Sequence, residues 1–363
     1  MTTDIHATAP SDPSDHPTTA TMRAVAFTRS LPVDDPASQV DVELPRPVPG
    51  ARDLLVEVRA VSVNPVDVKV RGGGDPDGAR VLGFDAAGVV VEVGEDVTLF
   101  QPGDEVWYAG DILRPGTNAE LHVVDERIVA RKPRSLSFAD AAALPLTAIT
   151  AWEGLFDKLR LTEASTGTLL VVGASGGVGS MVLQLAEALL PGVRVVATSS
   201  TEESEAWVRG LGAEATVNHR AGDLRGQIAT AAPDGVDWVF TARVADPGQL
   251  ELYVDVLNPF GQIVAIDDPE TLDIAFLKSK SISFHWELMF TRPIAGGDGQ
   301  LAQHRLLTDV AALVDEGRVR STATTVLSPI DAEQLRAAHR QVESGRTIGK
   351  VVVTAGVDQE GAR

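Results

Sequence analysis

The chain has 363 residues, no cysteine, and 31 basic against 51 acidic side chains, a formal net charge of −20. The length points to two domains. Zero cysteine excludes disulfides, thiolate metal sites, iron–sulfur clusters and a cysteine nucleophile. The negative charge speaks against nucleic acid and against anionic lipid as partners. No apolar run reaches the ~18 residues of a membrane-spanning helix. The expectation is a soluble, cytoplasmic protein that acts on a small molecule.

Residues 1–21 are rich in Thr, Pro, Asp and Ala and lack an apolar signal region, so a disordered extension is expected there. The first strand is expected beside Met22. From there to about residue 145, short β-branched runs recur between Gly/Pro turns, at 54–60, 88–93, 105–108 and 121–124. Many short strands with frequent turns read as a barrel-like β unit. The pattern then changes to alternating strands and helices: strand 168–173, helix 178–190, strand 193–198, helix 203–210, then strands 236–241, 261–266 and 281–287. Such alternation implies a doubly wound parallel sheet. An amphipathic helix is expected at 301–317, with Leu306, Leu307, Val310, Leu313 and Val314 on one face, and a last strand at 347–353.

The most informative stretch is Gly173-Ala174-Ser175-Gly176-Gly177-Val178-Gly179. An apolar strand runs into it and a helix leaves it, which is the context a dinucleotide-binding turn requires. Glycine lets the backbone approach a diphosphate, and the helix N-terminus offers unpaired N–H groups. The second strand ends in Ser199 and Ser200 rather than a carboxylate, so NADPH is expected over NADH. Arg220 is a candidate for the 2′-phosphate; Glu202 and Glu203 stand against it.

Further motifs accompany the turn: Asn64-Pro65-Val66-Asp67, Gly83-Phe84-Asp85-Ala86-Ala87-Gly88, Pro102-Gly103-Asp104, Leu144-Pro145-Leu146-Thr147, Phe284-His285-Trp286-Glu287 and Gly349-Lys350. Together they resemble the medium-chain dehydrogenase/reductase superfamily, specifically its zinc-free quinone-oxidoreductase branch, which includes a "zinc-type alcohol dehydrogenase-like" subgroup. The resemblance implies an α/β fold in which a GroES-like β-rich catalytic domain (22–147 and 291–363) receives an inserted Rossmann domain (148–290). It also implies a cleft between them and a homodimer. Zinc-dependent members carry a Gly-His-Glu where Gly83-Phe84-Asp85 stands here, and cysteines that this chain lacks. No zinc is therefore expected.

Without a metal, reduction of a conjugated carbonyl is easier than oxidation of an alcohol, because hydrogen-bond donors suffice for the developing oxyanion. Asn64 is the first candidate, either as a donor to substrate or nicotinamide ribose, or as a turn residue before Pro65. Asp67 either orients Asn64 or a water, or caps the helical turn that starts near Pro65. Tyr108 is either a carbonyl donor at the cleft or a buried strand-end aromatic. Thr147 either touches the carboxamide or substrate, or serves the helix N-terminus. Thr241, Ile266 and Asp267 are expected at the carboxyl ends of Rossmann strands, lining the nicotinamide half. Phe284 and Trp286 either complete that wall or form a subunit seam, and Lys350 is expected near the cofactor phosphates. The resulting expectation is an NADP(H)-dependent reductase of quinones or α,β-unsaturated carbonyls. Its alternatives are a zinc-independent alcohol or aldehyde dehydrogenase and a non-catalytic NADPH-binding protein. Specificity is expected in loops 71–80, 109–118 and 289–299.

Overall fold

The structure, a computed structural model, describes residues 20–356. Most of the expected extension therefore lies outside the described residues. Thr21 is already in a strand, Thr21–Phe27, whose first pair is Thr21 with Pro45. No helix among the described residues is long and apolar enough to cross a membrane.

The β-rich part is built on Asp53–Val63, an 11-residue strand far longer than its apolar run suggested. It pairs antiparallel with Asp85–Val93 on one side and with Lys350–Thr354 on the other, and its first half also pairs with Leu121–Asp125. Glu105–Ala109 and Val129–Arg131 continue the sheet beyond Asp85–Val93. The last strand of the chain thus returns to the first domain. Alternation along these strands separates two cores. Val106, Tyr108 and Val129 face a barrel interior with Val56 and Val61, whereas Trp107 and Ala109 face the helix Pro145–Trp152 and the nucleotide half.

The second sheet has six parallel strands in the order Ala215–Asn218, Val193–Ser199, Gly167–Val172, Val236–Thr241, Leu257–Ala265, Ser283–Trp286. In sequence rank this is 3-2-1-4-5-6, the doubly wound dinucleotide-binding arrangement. Its central strand, Gly167–Val172, is buried over its last five residues, as a strand covered on both faces must be. The helix Leu301–Asp315 buries Leu306, Leu307, Val310, Leu313 and Val314 together, as its spacing predicts. Among the elements without a counterpart in the expectations are strand Ala323–Leu327 and helix Ala332–Glu343, the latter capped by the Asp331 side chain on the Gln334 N–H.

The chain leaves the nucleotide sheet through a charged, buried junction. Glu287 follows the last strand, is 5% exposed, and finds no hydrogen-bond partner for either carboxylate oxygen. Glu153 is also buried, and Arg292 binds it at 2.8 Å while reaching Asp157 at 2.6 Å. Lys158 lies 3.6 Å from Glu287. Burial first, and then the neighbouring Glu153 carboxylate, push the Glu287 carboxyl up to about 9. A carboxyl raised on folding costs stability as pH climbs from the ordinary glutamate range through that value. Glu287→Gln, which mimics the protonated form, is therefore expected to stabilise the protein by about 1–3 kcal/mol at pH 8.5 and by little at pH 5. Thermal unfolding at the two pH values measures the difference.

Candidate functional site

A cleft of about 230 Å³ opens between the two sheets. One wall is the strand–turn–helix at 172–179. Gly173 sits at φ +80°, in the left-handed region that favours glycine, and Gly179 packs so closely that a Cβ there would lie 2.5 Å from the Ala174 Cα. Ala174 is fully buried under the turn, and the Ser175 carbonyl accepts the Gly349 N–H at 2.8 Å. The helix Gly177–Leu189 then begins with first-turn N–H groups that have no carbonyl within the helix to bond. Gly173, Gly176, Gly177, Val178 and Gly179 all line the cleft. This cradle fits the diphosphate of a nicotinamide dinucleotide.

The floor is a closed polar network. Asp85 is fully buried. Its Oδ1 accepts the Leu146 N–H at 2.7 Å, and its Oδ2 accepts from Ser62 at 2.8 Å, Asn64 Nδ2 at 2.8 Å and Lys350 Nζ at 3.2 Å. Lys350 Nζ also donates to the Val63 carbonyl at 3.2 Å and to Asn64 Oδ1. The second Asn64 Nδ2 hydrogen points to the Ser62 carbonyl at 3.4 Å. Both amide hydrogens are therefore spent inside the floor, so direct donation from Asn64 to a substrate carbonyl does not fit this arrangement. Lys350 likewise has its three ammonium hydrogens on the floor rather than directed to phosphates.

Asp67 lies beneath, 1% exposed, and accepts the Asn64 N–H at 2.8 Å and the Gly83 N–H at 3.0 Å. Of its two expected roles this is the capping one. Burial pushes its carboxyl up to about 7 against the pull of the Asn64 N–H and the Lys350 charge. Thr147 lines the cleft, but its hydroxyl donates to the Leu144 carbonyl at 2.9 Å. Tyr108 does not reach the cleft. Strand alternation turns it into the barrel interior, where its hydroxyl meets His122 Nδ1 at 3.0 Å. Burial raises the Tyr108 hydroxyl and lowers the His122 imidazole to about 4.

The expected nicotinamide wall is only partly assembled. Ile266 lines the cleft. Thr241 is fully buried, bonded to the Tyr253 hydroxyl at 2.7 Å and to the Arg243 N–H at 3.0 Å. Asp267 accepts the Val244 and Ala245 N–H groups at 3.0 and 2.8 Å, shaping the loop beside the cleft. Phe284 and Trp286 stand on the edge strand, their rings 4.8 Å apart, outside the cleft lining. Phe240, Ala242, Val342 and Thr347 line the cleft and were not anticipated. The last two come from the unforeseen helix and the loop after it.

At the other end of the turn, the Ser199 carbonyl accepts the His219 N–H at 3.2 Å, and the Ser200 N–H donates to the Ser204 hydroxyl at 3.1 Å. Arg220 is exposed. The charges of Arg243 and Arg220 both bear on His219, after burial, in lowering its imidazole. Arg243 lies two residues beyond the fourth Rossmann strand. Its guanidinium also holds Asp246.

Gly179→Ala is expected to push the turn apart, because the nearest atoms are backbone that cannot rotate away. Dinucleotide affinity should fall by about tenfold or more, measured by fluorescence titration with NADPH.

Two family models match the chain: an alcohol dehydrogenase GroES-like domain over residues 50–134 and a zinc-binding dehydrogenase domain over 211–353. A "zinc-type alcohol dehydrogenase-like protein" of Staphylococcus epidermidis is 36% identical over 339 residues, covering 92% of this chain and 99% of that protein. The solved structure of a candidate zinc-dependent alcohol dehydrogenase protein from Rhizobium etli is 49% identical, with a TM-score of 0.88 over 92% of this chain and 98% of that one. The quinone oxidoreductase from Coxiella burnetii is 26% identical, with a TM-score of 0.77 over 92% of this chain and 99% of that one.

Zinc is the metal these descriptions imply, and the residues here do not fit it. A catalytic zinc takes three protein ligands of N, S or O type. Phe84, at the Gly-His-Glu position, is buried against Phe290 with ring centroids 4.9 Å apart. The neighbouring Asp85 has both oxygens filled, one of them by an ammonium group. No group of three or more His, Asp or Glu side chains among the described residues is placed to hold a metal ion. The fold, the dinucleotide turn and relatives spanning nine tenths of the chain make it an oxidoreductase of the medium-chain dehydrogenase/reductase superfamily, in the zinc-free quinone-oxidoreductase branch.

Proposed function

We propose that the chain is an NADPH-dependent reductase of quinones or α,β-unsaturated carbonyls that works without a metal. The observation that carries this reading is the lining of the cleft: among the described residues that form it, none is His, Cys, Tyr, Asp or Glu. Oxidation of an alcohol needs a base or a Lewis acid to take the hydroxyl proton, and the one titratable side chain of this lining, Lys350, is already engaged with Asp85, Asn64 and the Val63 carbonyl. Reduction of a conjugated carbonyl needs only a hydride source, an apolar pocket and positive charge near the oxygen. A bound reduced nicotinamide dinucleotide supplies the hydride. The chain supplies the rest. Val63, Leu146, Val172, Phe240 and Ile266 exclude water from the lining, and Lys350 is its one cation. The product's proton comes from solvent, since no lining side chain is a carboxylic acid, imidazole or phenol and the Lys350 ammonium hydrogens are engaged on the floor.

The preference for NADPH rests on Ser199 and Ser200 at the end of the second Rossmann strand, with Arg220 and Arg243 around His219. Removing both serine hydroxyls (Ser199→Ala with Ser200→Ala) is expected to raise the KM for NADPH about tenfold, the worth of about one bond to a charged group, and to leave that for NADH unchanged. Steady-state assays with each cofactor and 1,4-benzoquinone measure both. Equal effects on the two cofactors contradict the assignment. Tight NADPH binding without turnover on any quinone or enone favours a binding protein instead.

We read the edge strand Ser283–Trp286 as the seam of a homodimer. Trp286, Leu288 and Phe260 are 49%, 51% and 78% exposed on or beside the outer strands of the sheet. Exposed apolar groups of that size beside an unpaired strand edge favour association. Trp286→Asp is expected to yield a monomer by light scattering, whereas the unaltered chain runs as a dimer.

A further inference from the structure

Four segments converge on the Asp85 carboxylate. Ser62 lies at the end of the long barrel strand, Asn64 caps the helix that follows it, Leu146 opens the helix leading into the nucleotide sheet, and Lys350 begins the last barrel strand. Asp85, Asn64 and Lys350 are 0%, 1% and 4% exposed. An isolated charge at such depth is costly, so each ion depends on the other. The Asn64 amide spans the two, with its oxygen toward the ammonium and its nitrogen toward the carboxylate. Reversing the amide would set its N–H groups against the ammonium and its oxygen against the carboxylate. The two charges, with the Ser62 carbonyl, therefore fix its orientation.

The same lysine is tied to the dinucleotide turn. Its neighbour Gly349 donates to the Ser175 carbonyl, and its stem lies where a Cβ on Gly177 would be 2.8 Å from the Lys350 Cδ. Gly176 and Gly349 form a parallel bridge. One residue thus touches the turn, the floor and Asn64 at once.

We propose that Lys350 and Asp85 are positioning residues that lock the Asn64 amide in one orientation and so fix the substrate half of the cleft against the dinucleotide turn. Only the kinetic consequences of this proposal rest on the reductase reading; the locked amide does not. If Lys350 acted through its charge alone, a variant that kept the lysine and removed Asp85's charge would keep its rate. Under the proposal that variant loses it, because the amide is released.

The chain has four asparagines, so asparagine-selective ¹⁵N labelling gives four side-chain amide pairs, and one more in the variants that carry Asp85→Asn. The Asn64 pair is expected to exchange slowly with solvent in the unaltered protein and in Lys350→Arg. In Lys350→Met and in Asp85→Asn its exchange should quicken by about tenfold or more, while Asn118, Asn218 and Asn258 are unchanged. In turnover, Asp85→Asn should lose about tenfold or more in kcat, with NADPH affinity held within about threefold. Lys350→Arg should retain most of the rate. The double variant Asp85→Asn/Lys350→Met removes both members of the buried ion pair, so it is expected to fold even where a single variant does not. Its loss should not exceed that of the worse single change. An Asn64 amide unaffected in both single variants, or in the double variant where the singles do not fold, overturns the proposal. So does an NADPH affinity that falls in step with kcat, which would make Lys350 a phosphate contact. A chain that reduces no quinone or enone fails the reductase reading instead, and amide exchange alone then decides the positioning claim.

Discussion

The site depends on one buried carboxylate. Asp85 accepts four hydrogen bonds while fully removed from water, and the donors come from both domains' approaches to the cleft. A carboxylate in that position is stable only if its partners are held in register. The register is supplied by the barrel: Ser62 pairs with Asp85 across the strands Asp53–Val63 and Asp85–Val93, and Val63 pairs with Val351 across the last strand. Packing of the β unit thus sets the geometry of a site that also serves the nucleotide sheet.

The cleft joins two kinds of physics. On the nucleotide side, backbone does the work: a left-handed glycine, a close glycine–alanine approach and free helix N–H groups. On the barrel side, side-chain charge does it, through an ammonium and a carboxylate that hold a neutral amide between them. The expected donor role of Asn64 gives way to this arrangement because its hydrogens are already engaged. The same residues do not fit the metal of the zinc-dependent relatives, since the motif carboxylate Asp85 is engaged by the Lys350 ammonium.

Much of this was legible in the sequence. The short β-branched runs between Gly/Pro turns before residue 145, the strand–helix alternation after it, and Gly173–Gly179 between a strand and a helix carry the fold and the dinucleotide turn without any contact information. The face of Tyr108 was not legible, because a strand end near the cleft says nothing about which side of the sheet the ring takes. Thr241 and Asp267 sit at the strand ends where ligands gather, yet their oxygens are spent on local N–H groups and Tyr253. The helix Ala332–Glu343 carries a readable N-cap at Asp331 and apolar Leu335, Ala338 and Val342. Its importance lies in packing that only the folded chain reveals: it brings Val342 and the 344–350 loop to the cleft. Asp85 was read as a motif residue, but its partners lie 21 to 265 positions away, beyond any local pattern.

The central claim is hydride transfer to a conjugated carbonyl in a site that uses no metal. It is tested most directly by following deuterium from C4-labelled NADPH into an α,β-unsaturated ketone, with the protein treated beforehand with a strong chelator. Label on the β-carbon of the saturated product at an undiminished rate is the expected result. Loss of turnover on chelation, restored by zinc, or a product that carries no label, would contradict the account.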